Sequence, residues 1–347
     1  MAQGAWSDTH ATVHRQIKGR SPSHPSAALI PPGAACLVAI SGGQDSVCLL
    51  KLLVDLQPKW HWRLQAIHCD HRWRSDSAEN AAFVANLCHR WSIPIQVVTA
   101  PDPLHSEAEA RQWRYQVFET LAIAHQITHV ATGHTTSDRA ETLLYNLLRG
   151  SGSQGLQALA PQRPLSDQSP DIQVVRPILS LTRQQTMRFC QQFDLPVWAD
   201  TTNQNLSYAR NRIRLELMPY LQQHFNPQVE TALAQTAELL MAEVALLDQL
   251  AQALYDQTVH AATDFSGWRI QRSPLQTAPL ALQRRVLRQV LGQVVASEVS
   301  FSQGEKLVGL IHAPNRSQTD PFPGGWIARV DTDWIVLMRL PTARPGP

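Results

Sequence analysis

Two short stretches concentrate the side chains that could do chemistry. "SGGQDS" packs two glycines, two hydroxyls and one carboxylate into residues 41–46, and "HTTSDRAET" sets a histidine ahead of two acids in residues 134–142. Ser41, Gly42, Gly43, Gln44, Asp45 and Ser46 lie between the apolar run "ACLVAI" (35–40) and the helical pattern "DSVCLLKLLVDL" (45–56). A strand-to-helix turn of this kind points backbone N–H groups and the positive end of a helix dipole at an anion, and its glycines admit positive φ. Asp45 would repel a bare phosphate, so it meets one through Mg²⁺ or hydrogen-bonds a substrate group. The pattern is not a Walker loop, which needs G-x-x-x-x-G-K-S/T, nor a dinucleotide G-x-G-x-x-G. Lys51 stands five residues past Ser46, inside the helix, and cannot replace the missing lysine. The plainer alternative is a Gly-rich turn with a Ser/Asp helix cap.

The second stretch places Asp138, Glu141 and Thr142 at i, i+3 and i+4, on one helix face near its start. Acids there complement the helix dipole in any protein. His134 closes the preceding strand pattern, Asp70 and His71 close another, and Arg111 and Arg114 lie three apart on a third element. Leu143, Leu144, Leu147 and Leu148 are expected to point elsewhere and supply core.

The elements that must position these groups alternate. Strand patterns at 35–40, 62–70, 95–100 and 128–134 are separated by helical patterns at 45–56, 77–91, 107–125 and 137–150. This predicts an α/β fold of βαβ units around a parallel sheet, with ligands outside the carboxyl ends of the strands. Residues 151–172 read as a long loop, "VVRPIL" as a last strand, and 180–195 as a helix entered through Ser180. Residues 200–225 are loop-like and then helical, and 226–257 form a long helix. A smaller α+β C-terminal unit follows, with a helix at 280–295 and strands "WIARV" and "WIVLMRL". The expected division is an N-terminal extension and linker (1–33), a catalytic domain (34–225), and a helical linker with a small C-terminal domain (226–347).

Composition sets outer bounds. The chain has 347 residues, 44% hydrophobic and 17% charged, with a formal net charge of +2, so any nucleic-acid footprint must be local. Five unpaired-looking cysteines argue against a disulfide framework. The first thirty residues lack a signal-peptide apolar core, and no stretch approaches the ~18 apolar residues of a membrane span. The expectation is a soluble cytoplasmic protein without a membrane partner. A homodimer is compatible with the sequence.

The hexapeptide resembles the signature of the PP-loop ATP pyrophosphatase superfamily, whose members split ATP between the α- and β-phosphates. "IHCDHRWR" (67–74), "EAEARQWRY" (107–115), "ATGHTTSDRAETLLYNLLRGSGSQGL" (131–156), "RPIL" (176–179), "DTTN" (200–203) and "RNRIRLELMPYL" (210–221) extend the likeness to the tRNA(Ile)-lysidine synthetases. That resemblance implies a PP-loop parallel sheet over residues 34–225 and a tRNA-binding C-terminal domain. It also implies ATP and Mg²⁺ as substrate and cofactor, and L-lysine and CAU-anticodon tRNA(Ile) as partners. Lysine would be joined to C2 of the wobble cytidine through an adenylated intermediate. It implies, further, that Ser41–Ser46 hold pyrophosphate, with Asp45 as a candidate Mg²⁺ ligand. His71, Arg114 and His134 would contact nucleotide or adenylate. Asp138 and Glu141 would hold the lysine ammonium or Mg²⁺, or take a proton from the amine, whose unperturbed pKa is ~10.4.

For RNA, Arg149 in a Gly-rich segment, Arg210, Arg212 and Arg214, and Arg284, Arg285 and Arg288 form three separated basic clusters. Charge runs are often only solvated faces, but three on a near-neutral chain suit a track of tRNA phosphates. The chain departs from the family's H-H-x-D-D-Q-A-E-T at Thr135, Ser137 and Arg139. Asp138 and Glu141 remain, so activity is expected to survive, with either carboxylate open to metal. Rival readings are a PP-loop thiolase, which would need reactive cysteines, and a catalytically silent nucleotide- or RNA-binding module.

Overall fold

A computed structural model of the chain describes residues 6–19, 28–73, 75–102, 104–199, 206–295 and 299–340. The "DTTN" motif (200–203) and Arg74 lie outside the described residues. The first part of the chain runs α1 (Asp8–Ile17), β1 (Ala35–Ala39), α2 (Gln44–Trp60), β2 (Arg63–Asp70), α3 (Ser77–Arg90), β3 (Ile95–Thr99), α4 (Glu107–Ala124), β4 (His129–Ala131) and α5 (Thr136–Leu148). Then come α6 (Ser153–Leu156), β5 (Gln162–Pro164), β6 (Gln173–Val175), α7 (Arg183–Gln192), α8 (Ala209–Arg212), one π-helical turn (Ile213–Leu217), α9 (Met218–His224) and α10 (Val229–Thr258). The chain separates into two units, Met1–Met241 and Ala242–Pro347, and the division falls within α10.

In the first unit six strands form one sheet in the order β3-β2-β1-β4-β6-β5. All neighbours pair parallel except β5, which returns antiparallel on β6. Strand β1 is central, with Cys36, Leu37 and Val38 fully buried, as expected of a strand covered on both faces. The chain leaves β1 toward β2 on one side, while β4 and β6 lie on the other. The crevice where ligands collect in such sheets therefore opens between the ends of β1 and β4. The turn after β1 is "SGGQDS", and the segment after β4 carries His134, Asp138 and Glu141.

One core cluster joins α1 to the sheet's helices: Val13 and Ile17 pack with Leu49, Leu53 and Phe189. The N-terminal segment, expected as an extension and linker, thus contributes a helix with a buried face. Phe189 on α7 is 1% exposed and its ring lies 4.6 Å from Phe193. Packing of this kind holds α7 against α1 and α2.

Three expectations are corrected. The helix over 180–195 starts at Arg183 and is capped by Thr182, whose hydroxyl accepts from the Gln185 N–H while Gln185 reaches back, a reciprocal cap that Ser180 does not offer. The loop over 151–172 contains α6 and the edge strand β5. Leu147 and Leu148 are 52% and 69% exposed, because the last turn of α5 runs past the core that holds Leu143 and Leu144.

The second unit adds β7 (Val259–Ala261), β8 (Gly267–Gln271), α11 (Arg272–Thr277), α12 (Leu280–Val294), α13 (Phe301–Leu310), β9 (Trp326–Asp331) and β10 (Trp334–Arg339). Its antiparallel sheet is ordered β7-β8-β10-β9. Val286, Leu287, Val290 and Leu291 on α12 share a core with Leu307, Ile335 and Leu337. Buried Arg272 spends its guanidinium on the carbonyls of Ile311, Thr332 and Ala313 at 3.0, 2.8 and 2.6 Å. A charge taken out of water needs such saturation. Among the described residues no helix is long and apolar enough to cross a membrane.

Candidate active site

The turn after β1 is built for close approach. Gly42 has φ +89°, and a Cβ there would lie 2.8 Å from Asn80 Nδ2 and 3.3 Å from Trp198 Cβ. Its carbonyl accepts from the Trp198 N–H at 2.9 Å. Helix α2 follows Gly43, which offers no side-chain cap and so leaves the first N–H groups to an anion. Ser46 Oγ donates to the Gly43 carbonyl at 2.8 Å and accepts from the Ser41 N–H at 3.2 Å, bracing the turn. Across the crevice a Cβ on Gly133 would stand 3.2 Å from the Asp45 and Ser46 backbone, so glycine lets the end of β4 approach α2. Gly42→Ala is expected to cost roughly 1–2 kcal/mol from backbone alone. It should also weaken ATP binding, read as a lower thermal midpoint together with a raised ATP KM.

Three carboxylates from α2 and α5 converge on one arginine. The Thr186 hydroxyl donates to Asp45 Oδ1, and Arg183 Nε lies 3.5 Å from Asp45 Oδ2. Asp138 belongs to the cap of α5: its Oδ2 accepts from the Thr135 N–H and hydroxyl at 2.8 and 2.7 Å. Its Oδ1 accepts from Arg183 Nη2 at 2.8 Å. Glu141, 2% exposed, accepts from Arg183 Nη1 at 2.8 Å and from Arg214 Nε and Nη2 at 2.9 Å each. Arg214 sits in the π-helical turn, a distortion often found at functional sites. Burial raises the Asp45 carboxyl above the usual range, outweighing the Thr186 hydrogen bond and Arg183. Burial also opposes ionisation of Asp138, but Arg183 and the Thr135 hydrogen bonds hold it below the usual range.

His134 lies beside this group with Nδ1 2.9 Å from Thr132 Oγ1. Burial, then the charge of Arg176, pushes it down to about 3, so its imidazole is neutral near pH 7. A depressed folded pKa contributes stability that is full above the unfolded value of ~6.5 and lost as pH falls toward the folded one. His134→Gln should therefore reduce the slope of stability against pH between about 6 and 4 by close to one proton, measured by urea unfolding across that window.

The structure gathers Asp45, Asp138, Glu141 and Arg214, and it adds Arg183 and Thr186, which sequence reading did not single out. A signal existed for Arg183. A cation at the first position of a helix opposes the dipole and calls for acidic partners. His71 stands apart at the end of β2, its ring 5.5 Å from Trp73 and 5.2 Å from Trp113. Burial lowers it to about 4. Arg114 lies on the face of α4 that carries buried Ala110 and Phe118, and its charge adds to the burial that lowers His71.

The basic clusters are more engaged than open faces would be. Arg149 donates to Tyr145 Oη at 2.9 Å, Arg210 to Thr142 Oγ1, and Arg212 to the Leu206 and Ser207 carbonyls at 2.8 and 3.0 Å. Arg214, expected on the RNA track, is instead committed to Glu141. Arg285 pairs with Asp248 and Arg284 with Glu305, because acids on neighbouring helices lie within reach.

The family departures also find partners. Ser137 Oγ donates to Glu230 at 2.6 Å and accepts from the Arg183 N–H at 3.1 Å. Arg139, 5% exposed, meets Glu238 at 2.6 Å. An aspartate at 137 would face the Glu230 charge, whereas serine ties α5, α7 and α10 together. Among the described residues no three His, Cys, Asp or Glu side chains form a metal cage. Mg²⁺ seldom uses one, since one or two carboxylates plus substrate phosphates suffice, and Asp45 beside the anion turn fits that donor set.

Comparison with known proteins agrees with this architecture. Residues 15–221 match the PP-loop domain family, and residues 270–333 match the TilS substrate binding domain. A tRNA(Ile)-lysidine synthase of a Nostoc species is 54% identical, covering 96% of this chain and 97% of the relative. That of Thermosynechococcus vestitus is 49% identical over 96% and 93%, and a chloroplastic one of Zygnema circumcarinatum 34% over 80% and 75%. The solved U34-tRNA thiolase NcsA from Methanococcus maripaludis, with its [4Fe-4S] cluster, aligns with a TM-score of 0.55 over 67% of this chain and 78% of that one. At 14% identity that likeness concerns the fold alone. With a PP-loop domain over most of its first unit and relatives matched along nearly their whole length, the chain belongs to the tRNA(Ile)-lysidine synthase family.

Proposed function

We propose that this chain uses ATP to join lysine to C2 of the wobble cytidine in CAU-anticodon tRNA(Ile), releasing AMP and pyrophosphate. One observation carries the reading. Asp45 of the anion turn and the Asp138–Glu141 pair of α5, each in the segment that follows one of two adjacent strands, meet at Arg183, so a phosphate leaving group and an ammonium-bearing substrate can be held side by side.

In the first step the cytidine C2 oxygen attacks the α-phosphorus of ATP and pyrophosphate leaves. The Ser41–Ser46 turn and the start of α2 hold the leaving group with N–H donors already in place, as transition-state charge requires. Asp45 would hold Mg²⁺, whose contribution is to offset phosphate charge. In the second step the lysine ε-amine attacks C2, the C–O bond breaks, AMP departs and the amine gives up a proton. Asp138 and Glu141 hold the lysine head group, and a site carboxylate takes that proton. Neutral His134 contributes hydrogen bonding beside the nucleotide without adding a charge. Arg149, Arg210 and Arg212 guide RNA phosphates, and the C-terminal unit supplies further tRNA contacts. The wobble base has to leave its stack to reach the crevice. Cytoplasmic residence fits the five free cysteines.

The thiolase alternative finds no support in these cysteines. Cys36 is buried with its thiol pushed up to about 12, Cys48 and Cys190 are buried as well, and sulfur chemistry needs an accessible thiolate. The test is incubation with ATP, Mg²⁺, radiolabelled lysine and a CAU-anticodon tRNA(Ile) transcript. Label in tRNA is expected, and ATP binding without lysine incorporation would refute the reading.

A further inference from the structure

Arg183 holds a position that an arginine would not keep for stability alone. It opens α7, where the dipole disfavours a cation. Its side chain is 27% exposed at the mouth of the cluster. Its fork takes one oxygen of Asp138 and one of Glu141, both at 2.8 Å, with Nε facing Asp45.

Each acid has a second partner besides it. Glu141 keeps both oxygens on Arg214, and Asp138 keeps Oδ2 on Thr135. The three carboxylates Asp45, Asp138 and Glu141 outnumber the two guanidiniums of Arg183 and Arg214, so the cluster can accept a further cation. An α-amino acid head group brings one ammonium and one carboxylate on the same carbon. Its ammonium can take the Asp138 oxygen now used by Arg183, and its carboxylate can take the freed fork. The exchange leaves every charge paired, and a planar guanidinium suits a carboxylate better than a point charge would.

We propose that Arg183 is the receptor for the α-carboxylate of the substrate amino acid, with the ammonium on Asp138. The internal Arg183–Asp138 pair is thus a stand-in that the zwitterion replaces. This rests on the reading of the site as a lysine ligase and extends it to how the substrate is chosen. Aliphatic diamines carry the same reactive amine as lysine. Without a carboxylate they cannot draw Arg183 away from the acids, and so they compete poorly.

The test compares kcat/KM for lysine, lysinamide and 1,5-diaminopentane in wild type, Arg183→Gln and Arg183→Lys, with ATP, Mg²⁺ and the tRNA transcript. Wild type is expected to prefer lysine to lysinamide by roughly 10–100-fold, the worth of a charge-assisted hydrogen-bonded pair. In Arg183→Gln the preference should fall below about 3-fold through a higher lysine KM, while Arg183→Lys, with a single donor head, should lie between. Equal losses with lysine and lysinamide, leaving the ratio intact, would overturn the proposal and leave Arg183 a packing role. Where Arg183→Gln does not fold, an unchanged ratio in Arg183→Lys overturns it equally. A wild-type protein that incorporates none of the three amines would overturn the ligase reading itself, an outcome visible before any variant is made.

Discussion

Asp45→Asn is expected to abolish tRNA-dependent ATP–pyrophosphate exchange while raising the thermal midpoint of the protein at neutral pH. The loss should be on the order of 100–1000-fold, the range seen when one preorganised charge-stabilising group is removed. The gain follows from the burial that raises the Asp45 carboxyl: above its folded pKa, the ionised group costs more in the folded chain than in the unfolded one. The sign is fixed. A raised carboxyl imposes its penalty fully at pH above the folded value, and the penalty fades as pH falls toward the ordinary aspartate range. The advantage of the variant should therefore shrink on acidification. Its fold should survive, because the Thr186 hydroxyl already lies 2.9 Å from the Arg183 carbonyl, and Arg183 keeps Asp138 and Glu141. Calorimetry at pH 7 and pH 4 alongside the exchange assay checks both halves. Full exchange in the variant would remove Asp45 from the phosphates, and a lower midpoint at pH 7 would contradict the burial argument.

An acid kept at a site that it destabilises is a common sign of function over stability. It also marks where sequence reading succeeds and stops. The anion turn was legible because its chemistry is local: glycines, hydroxyls and an acid between a buried strand and a helix need no distant partner to be interpreted. Asp138 and Glu141 were legible by helical spacing for the same reason. Arg183, Thr186 and the pairing of Arg214 were not, since each acts across 42 to 142 residues of sequence through the packing of α7 and the π-helical turn onto α5 and α2. Periodicity reports which face of a helix is apolar, but not which helix end will meet which. The same limit explains Leu147 and Leu148, which continue the apolar pattern of α5 beyond the surface that buries it. It also explains Ser137 and Arg139, whose acidic partners Glu230 and Glu238 sit on α10. In the sequence these residues are losses from a family pattern, whereas in the fold they are ties.

Asp138→Asn separates the lysine step from the ATP step, and its stability change should carry the opposite sign to that of Asp45→Asn. The asparagine oxygen can still accept from the Thr135 N–H and hydroxyl, so α5 keeps its cap and the variant should fold. What disappears is the negative charge facing Arg183 at 2.8 Å, and with it the proposed anchor of the substrate ammonium. The lysine KM is expected to rise by roughly 10–100-fold, the worth of a hydrogen bond to a charged group. Exchange of pyrophosphate, which precedes lysine, should change by less than about 3-fold. Asp138 is held below the usual carboxylate range despite burial, so its charge stabilises the fold above the unfolded value of ~3.9, and that contribution is lost as pH falls through the lower folded value. The variant should thus melt below wild type at pH 7 and approach it in acid. Two neighbouring acids on one arginine then diverge in every readout: removing Asp45 stops adenylation and stabilises, removing Asp138 spares adenylation and destabilises. An unchanged lysine KM in Asp138→Asn would take the ammonium away from this oxygen, and equal loss of exchange in both variants would merge the two acids into a single phosphate-binding role.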